Sequence, residues 1–164
     1  MTDLTPLLPA AEALIRRCTA SGLMIATAES CTGGLIAGTL TEVSGSSSVV
    51  DRGFVTYSNA AKTAMLGVPA DLIEQVGAVS REVALAMVEG ALVRSQADLA
   101  VAVTGIAGPN GGSAEKPVGL VHFGVIRKGR SARHAVHVFA GLDRSGVRRA
   151  TIERALALLA EEAG

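Results

Sequence analysis

The chain has no tryptophan, one tyrosine (Tyr57) and three phenylalanines among its 164 residues. So few rings leave no interleaved aromatics to stack nucleobases, and no basic tract stands in for them. Net charge is also missing: fifteen Lys plus Arg offset fifteen Asp plus Glu. No overall field gathers a polyanion, so nucleic acid is not an expected partner. The two cysteines, Cys18 and Cys31, neither sit at a paired spacing nor cluster with histidines, which predicts free thiols in a reducing compartment and no structural zinc. A ligand set for a catalytic metal is lacking, and no cofactor is expected. No apolar run approaches bilayer length, and the N-terminal MTDLTPLLPAAE is acidic without a basic region, so neither a membrane nor secretion is expected. A cytoplasmic location follows as an expectation.

What is present is small and apolar. Hydrophobic residues make up 49% of the chain, mostly Ala, Val and Leu, beside 19 glycines. That composition and length predict one domain over residues 1–164 with a substantial core, and the apolar balance in so small a chain points to a homo-oligomer. Thr5 and Pro6 read as cap and first residue of a helix that Gly22 ends. A strand over 23–29 and a helix over 35–43 follow, then a β-rich run over 49–57 and a short helix to Leu66 capped by Ser58 or Asn59. Ser80 caps a helix whose apolar residues recur from Val83 to Leu92 at helical spacing. Leu99–Val103 reads as a central two-sided strand. Strands near 119–126 and 133–139 form a hairpin through Lys128–Gly129, and Asp143 or Ser145 opens the last helix. The alternation predicts an α/β fold: a three-layer α/β/α sandwich with a mixed, mostly parallel sheet.

The organising stretch is TAESCTGG, Thr27 to Gly34, where a strand passes into a helix. It delivers Glu29, Ser30, Cys31 and Thr32 to a sheet edge, while Gly33 and Gly34 let backbone approach a ligand at a helix N-terminus that favours anions. The alternative is a plain turn in which Ser or Thr caps the helix. In α/β sheets, ligands bind beyond the carboxyl ends of the strands. The loops after Glu29, Tyr57 and Val103 therefore converge in expectation, joining Ser30, Tyr57, Lys62 and the glycine-rich loop TGIAGPNGGSAEKPV (104–118) around one pocket.

Lys62 can act as a general base only if its pKa falls toward neutrality. A place in the first turn of a helix, among Ala60, Ala61, Ala64 and Met65, pushes it that way. The alternative is a solvated surface lysine. Ser30 and Cys31 compete as nucleophile: a helix N-terminus lowers thiol pKa, whereas a serine beside a neutral lysine is activated directly. His122, His134 and His137 fall in the hairpin strands and read as structural, which removes a Ser/His/Asp arrangement. Glu29 is another possible base or a ligand for ribose hydroxyls. Arg144, Arg148 and Arg149 open the last helix, where its dipole prefers acids, and suggest an anionic ligand; the alternative is an exposed basic face.

Taken together, AESCTGG (28–34), GFVTYSNAAK (53–62), GAVS (77–80), TGIAGPNGG (104–112) and KPVG (116–119) closely resemble the C-terminal domain of the CinA family, named for competence and damage inducibility. The resemblance covers nearly the whole chain. It implies an amidase that converts nicotinamide mononucleotide to nicotinate mononucleotide and ammonia in pyridine-nucleotide salvage, with a small-molecule nucleotide as partner. On the matching positions the family's catalytic serine, tyrosine and lysine fall on Ser30, Tyr57 and Lys62. Tyr57 is then expected to assist Lys62. The oxyanion is expected near backbone N–H groups of Cys31 to Gly34 or of Gly105 to Ala107. Substrate contacts are expected from Glu29, Cys31, Thr32, Gly33 and Gly34, from Thr104, Gly105, Ala107 and Gly108, and, at the phosphate, from Arg144 or Arg148. Larger family members carry an additional N-terminal nucleotide-processing domain; AESCTGG lies too near residue 1 for one here, so pyrophosphatase activity is not expected. Two other readings stay open: a non-catalytic nucleotide-binding or regulatory module, and an amidase acting through Cys31.

Overall fold

Pro6 and Pro9 lie where a helix start tolerates a missing N–H. A 3-10 turn at Thr5–Leu7 runs into α1 (Leu8–Ser21), and Gly22 ends it at φ 65°, a left-handed conformation that glycine takes without a side-chain clash. Thr5 is not the cap; its N–H donates to Asp3 Oδ1 at 3.0 Å. The computed structural model describes residues 1–164.

The sheet has five strands: β1 (Ile25–Glu29), β2 (Val50–Val55), β3 (Leu99–Gly105), β4 (Leu120–Arg127) and β5 (Arg133–Val138), in the order β2-β1-β3-β4-β5. β1 runs parallel to both β2 and β3, and β4 and β5 complete the sheet antiparallel. Between them lie α2 (Leu35–Thr41), α3 (Asn59–Leu66), α4 (Ala70–Val76), α5 (Arg81–Val93) and α6 (Arg144–Ala163). Ser58, Ser80 and Asp143 each cap the helix that follows, accepting from Ala61, Val83 and Gly146 N–H. α4 has no counterpart in the sequence pattern, because Pro69 precedes it and no side chain caps it.

The strand alternation divides the core in two. Leu99, Val101 and Val103 face α1, α2 and α6, while Ala100 and Ala102 face α3, α4 and α5. The second face is lined with alanine, and a Cβ added to Gly124 would stand 2.6 Å from Ala84 O. α5 therefore lies close on the sheet, which is how a core with so few rings fills its volume. Each fully buried Leu, Ile or Val contributes roughly 1.5–3 kcal/mol.

The topology fixes where a ligand can sit. β2 and β3 flank β1 on opposite sides, so the chain reverses its winding there and the loops after all three parallel strands leave one edge.

Candidate active site

Backbone pairing carries on past the ends of the strands. Ser30 N–H donates to Val103 O at 3.1 Å and Thr56 N–H to Glu29 O at 2.8 Å, which pins the Ser30 turn to β3 and to the end of β2. Glu29 then folds back on its own turn. Its carboxylate is 1% exposed and accepts from Thr32 Oγ1 (2.6 Å), Ile36 N–H (2.9 Å), Ala37 N–H (2.9 Å), Gly34 N–H (3.1 Å) and Thr27 Oγ1 (3.3 Å). The positive end of α2 is thereby filled from within. This corrects the expectation of an anionic ligand on the N–H groups of Gly33 and Gly34: Gly34 N–H is taken by Glu29, and Gly33 N–H donates to Ser30 O. Glu29 and Thr32 are both buried and bonded to each other, so their side chains serve the turn and neither residue lines the cleft beside Ser30.

Lys62 approaches from the opposite wall. Ser58 starts α3 and places Lys62 within its first turn, 2% exposed. Nζ lies 3.0 Å from Ser30 Oγ and donates to Thr56 O at 2.9 Å. No carboxylate forms an ion pair with it. Burial therefore holds the lysine below its ordinary pKa, against a small opposing influence of Cys31. In its neutral form the amine has one N–H for Thr56 O and a lone pair that can accept the Ser30 hydroxyl proton. The Thr56 carbonyl, which aims the amine, was not legible in sequence because any residue supplies such a group.

Cys31 lies beside the serine but is 5% exposed, and burial pushes its thiol up to about 12. A thiolate is disfavoured there, which removes the physical basis for a Cys31 nucleophile. The N–H groups of Cys31 and Ala107, two residues that share a cleft with Ser30, are taken by no acceptor in the fold. These are the donors open to an oxyanion.

Together with Ser30, Cys31 and Tyr57, the third loop and Arg144 enclose a cleft of about 250 Å³. Gly105, Ile106, Ala107, Gly108, Asn110 and Gly111 form that wall. The loop is tied down along its length. Ile106 N–H donates to Leu120 O and Gly119 N–H to Ile106 O; Lys116 Nζ donates to Val76 O at 2.8 Å, and Arg144 Nη1 to Gly108 O at 2.7 Å. Thr104 is a correction as well: its Oγ1 donates to Ala78 O, and the residue is 1% exposed. The two arginines part company. Arg144 lines the cleft and donates from Nη2 to the Tyr57 hydroxyl at 2.8 Å, whereas Arg148 turns behind the turn and donates to Thr32 O at 2.9 Å.

Tyr57 also differs from expectation. Its hydroxyl meets Arg144 and not Lys62, although both residues adjoin Ser30 in the structure. The histidines stay in the hairpin, with His122 Nδ1 and His134 Nε2 3.0 Å apart. No cluster of His, Cys, Asp and Glu is placed to hold a metal ion, and no helix is long and apolar enough to cross a membrane.

Comparison with known proteins places this arrangement among relatives. The CinA C-terminal domain family model matches residues 8–163. The nicotinamide-nucleotide amidohydrolase PncC of Enterobacter agglomerans is 55% identical over 129 residues, covering 79% of this chain and 78% of that protein. A CinA-like protein of Colwellia psychrerythraea is 60% identical over 111 residues, covering 68% of this chain and 26% of that protein. The chain spans about a quarter to a third of the length of several curated relatives that it matches. Among solved structures, the competence/damage inducible protein CihA from Agrobacterium tumefaciens superposes with a TM-score of 0.88 at 54% identity, covering 93% of this chain and 94% of that one. On the family match and these identities, the chain belongs to the family of CinA C-terminal domains.

Proposed function

We propose that the chain is an amidohydrolase that converts nicotinamide mononucleotide to nicotinate mononucleotide and ammonia, with Ser30 as nucleophile and neutral Lys62 as its base. The observation that carries this reading is the buried amine without a counter-ion, 3.0 Å from the Ser30 oxygen. The relative named as a nicotinamide-nucleotide amidohydrolase supports the substrate.

Lys62 takes the Ser30 proton as Oγ attacks the carboxamide carbon. The resulting oxyanion is received by the free N–H groups of Cys31 or Ala107, each worth about 3 kcal/mol in such a role. Lys62 then returns the proton to the departing nitrogen, ammonia leaves, and an ester to Ser30 remains. Water, deprotonated by the same amine, attacks the ester, and Lys62 returns that proton to Ser30 Oγ as the acyl C–O bond breaks and the acid leaves. Arg144, at the open end of the cleft, is the cation available to the phosphate.

The test is ammonia release from nicotinamide mononucleotide by the purified protein and by its Ser30→Ala and Lys62→Ala variants. Release that both substitutions abolish supports the reading. Binding of the nucleotide without release would favour a nucleotide-binding or regulatory module instead.

A further inference from the structure

Tyr57 is the one tyrosine in a chain almost without rings, yet it is 60% exposed at the rim of the cleft. No other ring packs on it; the aromatic pairs of the fold all lie among His122, Phe123, His134, His137 and Phe139. Its only side-chain bond is at the tip, where Arg144 Nη2 donates to the hydroxyl at 2.8 Å while Nη1 of the same guanidinium holds Gly108 O. An exposed aromatic costs solvent-exposed apolar surface, and tethering its tip restricts the ring to one place. Lys62 meanwhile directs its amine to Ser30 Oγ and Thr56 O. The phenol is fixed by α6 and has no bonded connection to the reacting pair.

We propose that Tyr57 is a specificity-determining residue whose ring face receives a planar, cationic heteroaromatic ring, with Arg144 holding the tyrosine in place and facing the anionic end of the same ligand. No carboxylate lines the cleft, so a pyridinium entering it meets no acid, and the face of the tyrosine is the one aromatic surface that can receive it. The cleft is also smaller, at about 250 Å³, than the 300–1,000 Å³ usual for sites that enclose a ligand. A nucleotide must therefore be gripped partly at the rim, where Tyr57 stands. The inference rests on the amidase reading for its substrate and gives Tyr57 recognition in place of proton transfer.

The experiment compares Tyr57→Phe and Tyr57→Leu by steady-state kinetics on nicotinamide mononucleotide. In parallel, binding of the same nucleotide to Ser30→Ala and to Ser30→Ala/Tyr57→Leu is measured by calorimetry. Phe should keep kcat within about threefold, and Leu should raise KM and weaken binding by about 3- to 30-fold with kcat little changed. A Phe variant that loses kcat about 100-fold at unchanged KM would overturn the proposal and make the phenol a proton relay. Equal binding by the two Ser30→Ala proteins would also overturn it. If the wild-type protein binds the nucleotide but releases no ammonia, the amidase reading fails while calorimetry still decides the role of Tyr57; if it does not bind, both fall.

Discussion

Glu29 and Lys62 reach Ser30's turn from opposite walls, 1% and 2% exposed, and the fold treats them in opposite ways. Glu29 is surrounded: five donors, three of them backbone N–H groups at the start of α2, converge on its carboxylate. Lys62 is left with a carbonyl and a hydroxyl, and no acid. Burying a charge is tolerable when hydrogen bonds replace its hydration, and otherwise the group tends to neutralise. The satisfied residue ties the turn together; the one without an acid is, on the proposed reading, where proton transfer becomes available. On the proposed mechanism, chemistry at this site depends on a contrast between neighbours and not on either residue alone.

The contrast breaks most severely at the reacting pair. Ser30→Ala and Lys62→Met should each lower ammonia release by about 10³-fold or more, with circular dichroism showing an intact fold. Next in size is Glu29→Ala, which leaves buried N–H groups of α2 without an acceptor. Thermal denaturation should show a loss of about 3 kcal/mol or more, a fall in Tm on the order of 6–12 °C for a domain of this length. Glu29→Gln, which keeps one acceptor oxygen, should lose less.

The sign reverses at Lys62. Lys62→Met replaces a buried, unpaired amine by an apolar chain of similar length, so stability at neutral pH should rise by about 1 kcal/mol, or about 2–4 °C in Tm. The folded-state pKa of Lys62 lies below the ordinary lysine value of 10.5, so between the two the unfolded chain binds more protons. Wild-type stability therefore increases with pH through that window, and the advantage of Lys62→Met should shrink toward pH 10.5. An advantage independent of pH would mean that Lys62 stays charged in the fold.

Much of this was legible in the chain. Ser58, Ser80 and Asp143 announced their helices because a short oxygen-bearing side chain before an apolar period has one common use, and the apolar run 99–103 marked a central strand. The meeting of Ser30 with Lys62 followed from loops leaving one sheet edge. The inward turn of Glu29 did not, because three of its five donors are backbone groups whose direction depends on the left-handed Gly33 and Gly34. An acid six residues before the first residue of a helix with no side-chain cap was the signal to weigh. The partners of Thr104 and Arg148 were hidden for a related reason: their acceptors, Ala78 O and Thr32 O, are carbonyls that carry no mark in sequence. Arg144 and Arg148 stand one turn apart on the same face of α6, so the sequence does not separate the one that lines the cleft from the one that bonds Thr32 O.

The most direct test of the central claim is an NMR titration of the Lys62 amine in the folded protein, followed at its Cε or Nζ and assigned by loss of the signal in Lys62→Met. Burial without a counter-ion predicts a midpoint clearly below 10.5. A midpoint at or above that value would show a permanently protonated lysine and contradict its role as the base.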